Sequence, residues 1–175
     1  QAMTNILENL NGMAAIGVGV GLMTIVGQCM GADRKDEAVY YIKKLSVIAE
    51  VAIIVSCLLV FALTRLVTVL GGMEPASAKM CFHMVIWITI VKPIVWTLAF
   101  VPAYGLRAAG DVKFSMITSC LVMWLCRFCL CVILIRFLGF GPMGVWIGMF
   151  ADWTVRAVIF TWRFHSRRWL RYKVI

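Results

Sequence analysis

The stretch LSVIAEVAIIVSCLLVFALT, Leu45 to Thr64, carries Glu50 as its single charged side chain. About 20 apolar residues in helical form cross the ~30 Å hydrocarbon core of a bilayer. In lipid the backbone N–H and C=O groups must be satisfied within the segment, so the stretch reads as a membrane-spanning helix. A helix buried in a water-soluble bundle would need a polar outer face, and this one has none. Lys43 and Lys44 flank it on one side. On the other, the apolar run continues to Leu70 and stops at Gly71 and Gly72.

Segments of the same kind lie on either side. Spans are expected at about 1–31, 36–71, 76–106, 112–139 and 143–170, each closing on a charged or Gly-rich break. Hydrophobic residues make up 63% of the chain and charged residues 14%, which excludes a soluble core inside a polar shell. The expected fold class is therefore all-α: a polytopic helical membrane protein with five transmembrane helices and no sheet. Several segments exceed a perpendicular span, so tilting or kinking is expected. Pro93 and Pro102 lie inside the third and free backbone carbonyls there. A signal peptide is a poor reading of the first segment, because Glu8, Asn9 and Asn11 stand where a basic start would be.

Basic residues set the orientation. The connections after the first and third segments, together with the tail, hold Arg34, Lys35, Lys43, Lys44, Arg107, Lys113, Arg163, Arg167, Arg168, Arg171 and Lys173. The opposite side holds Arg65, Lys79 and Arg136. Under the positive-inside rule the C-terminus is cytoplasmic and the start of this chain faces outward, in a plasma (inner) membrane. An outward start at Gln1, running almost at once into an apolar segment, reads as the C-terminal fragment of a larger membrane protein.

The net charge of +9 is mostly cytoplasmic flank, which also attracts anionic lipid. No nucleic-acid fold accompanies the basic tail, so no nucleic-acid partner is expected. Cys29, Cys57, Cys81, Cys120, Cys126, Cys129 and Cys131 all fall inside spans and read as small apolar packing residues rather than a disulfide framework or metal site. There is no HExxH, no GxSxG and no paired catalytic carboxylates, so an enzyme is not expected. No cofactor is expected either.

Gly17/Gly21 and Gly27/Gly31 are i,i+4 pairs that strip side chains from one helix face. They read as close-packing points, or as a flexible point in a moving helix. Asp33 and Asp111 stand where each would cap the following helix. Two breaks, Val26-Gly27-Gln28 with Gly31-Ala32 and Leu106-Arg107-Ala108-Ala109-Gly110-Asp111, occupy equivalent cytoplasmic positions. With Gly144-Val145-Trp146, they resemble the multidrug and toxic compound extrusion transporters in order and spacing. The resemblance covers essentially all of the chain and corresponds to helices eight to twelve of that family. It implies most of one six-helix lobe, with the N-terminal lobe of the same transporter as partner. It also implies export of organic, often cationic, small molecules coupled to inward flow of Na⁺ or H⁺. A lipid-linked saccharide flippase, which has a related helical architecture, is the alternative; a basic cavity around Lys92 and Arg127 would favour it.

Charges inside the bilayer cost a few kcal/mol each and should face the interior or a partner. They are Glu50, Lys92, Arg127, Asp152 and Arg156. Counting along each helix puts Lys92 and Arg127 about 20 Å from the cytoplasmic flank, Asp152 about 16 Å, Arg156 about 10 Å and Glu50 about 9 Å. Asp152 is therefore expected to pair across helices with Arg127, with Arg156 as a second partner on its own face. A coupling role for Asp152 remains open. Glu50 is expected near the cytoplasmic interface. Some members of the family carry a carboxylate in the third of these helices, about ten residues before the Leu-Arg…Gly-Asp motif; here that stretch is Lys92-Pro93-Ile94-Val95-Trp96-Thr97, with no acid. Pro93, Trp87, Trp96 and Tyr104 are expected either to line an aromatic cavity suited to flat organic cations or to face lipid.

Overall fold

A computed structural model describes the backbone of residues 2–70, 72, 75–136, 139 and 141–171. The expected boundaries at Gly71 and residue 1, and Lys173 of the basic tail, lie outside the described residues. Five long helices fill the chain, and the described residues contain no strand. They are α1 (Ala2–Gly31), α2 (Lys35–Leu70), α3 (Pro75–Ala108), α4 (Val112–Arg136) and α5 (Pro142–His165). All five are long and apolar enough to cross a membrane. This is a multi-pass helical membrane protein.

Two departures from the expected spans have local causes. The fifth helix stops at His165, short of residue 170; Arg167 turns to φ 51°, and a 3₁₀ turn, Arg168–Arg171, folds back. Trp169 is fully buried there, stacked on Phe164 and donating its indole N–H to the Phe164 carbonyl at 3.1 Å. The fourth helix is interrupted by π-helical turns at Met123–Cys129, between α-helical Val112–Val122 and Leu130–Arg136.

The turns at the basic end repeat one another. After α1, the Asp33 N–H bonds Met30 O and the Arg34 N–H bonds Cys29 O. After α3, the Gly110 N–H bonds Arg107 O and the Asp111 N–H bonds Leu106 O. Both are Schellman closures, with the left-handed residue at φ 55° (Asp33) and φ 92° (Gly110). Asp33 therefore ends α1 rather than capping α2, correcting the expectation. Asp111 does stand at the start of α4, but its side chain makes no cap hydrogen bond.

Helices α1, α2 and α3 pack on one another, α5 packs against α3, and α4 lies outermost, against α5. Only 17% of the most apolar window of α4 is buried, against 50% for α5. The core runs through Ala15, Leu22 and Val26 of α1, Ala38, Ile42, Ala49 and Ile53 of α2, Trp96, Val101 and Leu106 of α3, and Trp146, Trp153 and Phe160 of α5. On α2 the buried positions recur at intervals of three, four or seven residues, one helix face, while Val47, Val51, Val55 and Leu59 on the other face are exposed and equally apolar. Lipid is as apolar as that face, so helices associate here by close packing and polar contacts rather than by escape from water.

Close approach occurs at glycines, though not at the expected pairs. A Cβ on Gly19 would lie 2.6 Å from the Tyr104 ring, and one on Gly105 would lie 2.7 Å from Ile42 Cδ1. Gly148 abuts Cys131 in the same way. Gly17, Gly21, Gly27 and Gly31 have nothing within 4 Å of such an atom. Gly19→Ala is expected to lower the unfolding temperature in detergent. Overpacking a rigid ring costs about 1–3 kcal/mol, more than the ~1 kcal/mol gained in helix propensity. Gly17→Ala should be neutral or stabilising. Thermal unfolding of the two variants compares them, and equal shifts would rule out the tight α1–α3 contact.

Candidate functional site

Among the described residues, three ion pairs lie inside the helical bundle. The first joins α1 to α3. Lys92 stands at the middle of α3, and its side chain is fully buried. Its ammonium donates to Glu8 Oε1 at 2.7 Å and to the Glu8 carbonyl at 2.8 Å. The same nitrogen lies 5.5 Å from the Trp96 ring centre, one turn further along α3. Gly12 keeps the space open on the α1 side, since a Cβ there would sit 3.4 Å from Lys92 Nζ. Trp96 is itself fixed by stacking on Phe100 at 4.7 Å. One turn below Glu8, buried Asn11 donates to Cys57 Sγ of α2 at 2.9 Å, which ties in the third helix.

The second pair is local to α5. Arg156 Nε donates to Asp152 Oδ1 at 2.8 Å, four residues away on the same face. The guanidinium also donates to Ser119 O of α4 at 3.1 Å and lies over the Phe100 ring of α3. Arg156 thus joins three helices, as expected of a buried charge, but Arg127 takes no part. Arg127 is exposed on the π-helical stretch, and its guanidinium approaches Met149 Sδ at 3.5 Å. The expected Asp152–Arg127 pair is therefore not formed. Similar depth suggested the pair, but pairing also requires the two helices to turn the right faces together. An i,i+4 partner meets that condition automatically.

The third pair closes the basic end. Arg163 Nε donates to Asp111 Oδ2 at 2.7 Å, and its guanidinium lies 4.5 Å from the Phe114 ring centre. Asp111 is buried, so this family-motif aspartate serves as the anchor of α5 on the α3–α4 turn. Arg107 of the same motif lies over Tyr104 at 5.4 Å.

The expected cavity residues diverge. Trp87 is 50% exposed and faces outward, whereas Trp96 is buried beside Lys92. Nine residues separate them, which is half a turn out of phase in an α-helix of 3.6 residues per turn. Tyr104 packs on Gly19. Pro93 lines a groove of about 300 Å³ between α2 and α3, together with half-buried Glu50 and Ser46 and buried Thr97. Gln28 lines a hollow of about 370 Å³ at the basic end with Arg34, Glu37 and Tyr41. No group of His, Cys, Asp or Glu able to hold a metal occurs among the described residues, and the seven cysteines are free thiols.

Glu8 was the residue that sequence reasoning missed as a site. It served only to argue against a signal peptide. Yet it is the sole carboxylate in α1, and a mid-helix lysine on α3 needs an acid from a neighbouring helix.

The MatE family model matches residues 2–133. A Thermotoga maritima protein described as a probable multidrug resistance protein NorM is 25% identical over 175 residues, covering 97% of this chain and 36% of that protein. An uncharacterized transporter of Bacillus subtilis, YisQ, is 39% identical over 67 residues, 38% of this chain and 15% of that protein. A probable NorM of Rhodopseudomonas palustris is 37% identical over 61 residues, 35% of this chain and 13% of its own length. The chain thus spans about a third of the length of the Thermotoga maritima relative. No solved structure matches. With a family match over most of its length, joined to five apolar helices that turn on the motif residues, the chain belongs to the MatE family of transporters.

Proposed function

We propose that this chain forms part of a secondary active exporter of organic, often cationic, compounds, driven by inward flow of Na⁺ or H⁺. The observation that carries the reading is the Glu8–Lys92 pair, which sets a fully buried lysine against a partly buried carboxylate between two apolar helices of a MatE chain. Ionisable residues within a bilayer are costly, and they mark transport pathways more often than they serve as packing. A pair shared by two helices also responds to any sliding of one past the other. In such transporters, repeats move around a site near the midplane, so an N-terminal lobe would complete the pathway. The basic connections would face the cytoplasm of the plasma membrane.

Lys92 bears on the flippase alternative. A lipid-linked pyrophosphate would call for uncompensated cations in the cavity, and here the lysine is neutralised by Glu8. The exporter reading is therefore favoured.

Efflux of a fluorescent organic cation tests it. Cells expressing the protein in its full chain should accumulate less dye than cells expressing a Lys92→Met, Glu8→Gln variant. Collapsing the Na⁺ and H⁺ gradients together should erase the difference. Equal accumulation in the two strains, with both proteins in the membrane, would count against export.

A further inference from the structure

The groups around the Lys92 nitrogen are those that a desolvated monovalent cation would use. A carboxylate oxygen lies at 2.7 Å, a main-chain carbonyl oxygen at 2.8 Å, and an aromatic face at 5.5 Å from the ring centre. The two oxygens come from one residue, Glu8, so the bite is preset by the geometry of α1. The ring comes from Trp96, on the same helix as the lysine. Hard monovalent cations favour carboxylate and carbonyl oxygens, and an ammonium with three donors can replace such an ion without a change in net charge. Lys92 is fully buried, and Gly12 leaves just enough room for its head group against α1. To release Glu8, the four-carbon stem would have to swing out through packed helices.

We propose that Glu8 is a monovalent-cation site whose permanent occupant is the Lys92 ammonium, so that Glu8 takes up no Na⁺. The chain then carries its counter-ion covalently. The α1–α3 interface stays neutral whether the external Na⁺ concentration is high or low. This bears on the exporter reading only through the choice and place of the coupling ion, and its test reads ion binding rather than transport.

The experiment is thermal unfolding of the purified full chain in detergent, in NaCl against choline chloride at equal ionic strength. Wild type, Glu8→Gln, Lys92→Met and the double variant are compared. Any Na⁺-dependent shift of wild type should be the same size in Glu8→Gln, because Glu8 does not contribute to it. Lys92→Met should gain a further Na⁺-dependent rise that the double variant lacks. An ion at about 100 times its Kd raises the midpoint by several degrees in a protein of this size. If Lys92→Met does not fold in either salt, Lys92→Gln takes its place. A wild-type Na⁺ shift abolished by Glu8→Gln overturns the proposal, since Na⁺ would then reach Glu8 despite the lysine. A folded Lys92 variant that gains no Na⁺ response overturns it as well.

Discussion

Glu8→Ala is expected to be the most destabilising single side-chain truncation in the bundle. It would leave a fully buried ammonium with only the residue-8 carbonyl as acceptor. Removing one partner of a buried pair costs about 3–5 kcal/mol in water-soluble proteins. Within membranes, measured polar couplings average nearer ~0.6 kcal/mol, because the unfolded chain also finds partners. Lys92 lies at the middle of its helix and is fully buried, so the loss should fall toward the upper figure. A drop in unfolding temperature of about 6 °C or more is expected, at ~2–4 °C per kcal/mol. Glu8→Ala with Lys92→Met should recover much of it, since the double change removes the stranded charge. The measurement is thermal unfolding in one detergent and one salt. A Glu8→Ala midpoint no lower than that of Gly17→Ala would show that the pair contributes nothing to holding α1 on α3.

Asp152→Ala should have the next largest effect, with a specific pattern of rescue. The change strands Arg156, which keeps the Ser119 carbonyl and the Phe100 ring. A loss of about 1–3 kcal/mol is expected, the cost of leaving a buried polar group without its main partner. Asp152→Ala with Arg156→Leu should restore part of the stability. Asp152→Ala with Arg127→Leu should be additive, because Arg127 faces Met149 and shares no partner with Asp152. Rescue by Arg127→Leu instead would mean that the cross-helix pairing exists in the membrane. If Asp152→Ala left stability unchanged but abolished Na⁺- or H⁺-driven export, Asp152 would be a coupling residue rather than a structural one.

Helix number and class were legible because they follow from composition along the chain. A run such as Leu45–Thr64 has one viable form in lipid, whatever surrounds it. The interior charges were legible for the same reason: Lys92, Asp152 and Arg156 stand in apolar stretches and had to find partners. Which partners they found was only half legible. Counting residues gives depth along a helix, and by depth Arg127 suited Asp152. It does not give the rotation of one helix against another, and rotation turned Arg127 outward, leaving Asp152 to the partner on its own helix face, Arg156. Trp87 and Trp96 are the opposite case: within one helix the nine-residue spacing alone separates their faces, so their divergence was legible. Glu8 was passed over because it lies near the start of the chain, where an acid resembles a flank. Asp33 was misread because a helix-closing position and a helix-starting position fall next to each other in a three-residue turn, and both accept aspartate.

The π-helical turns of α4 have a consequence for how that helix touches its neighbours. Ser115, Thr118 and Val122 face the bundle in the first half, and Cys131 abuts Gly148 in the second. Val122 and Cys131 are nine residues apart. In an unbroken α-helix that spacing is half a revolution, and Cys131 would point to lipid. A π turn takes more residues per revolution, so each residue between Met123 and Cys129 advances the angle less. The stretch works as a phase correction. It holds back the rotation until both halves of the outermost helix present the same side inward, which lets a peripheral strut stay in register with α5 over its whole length.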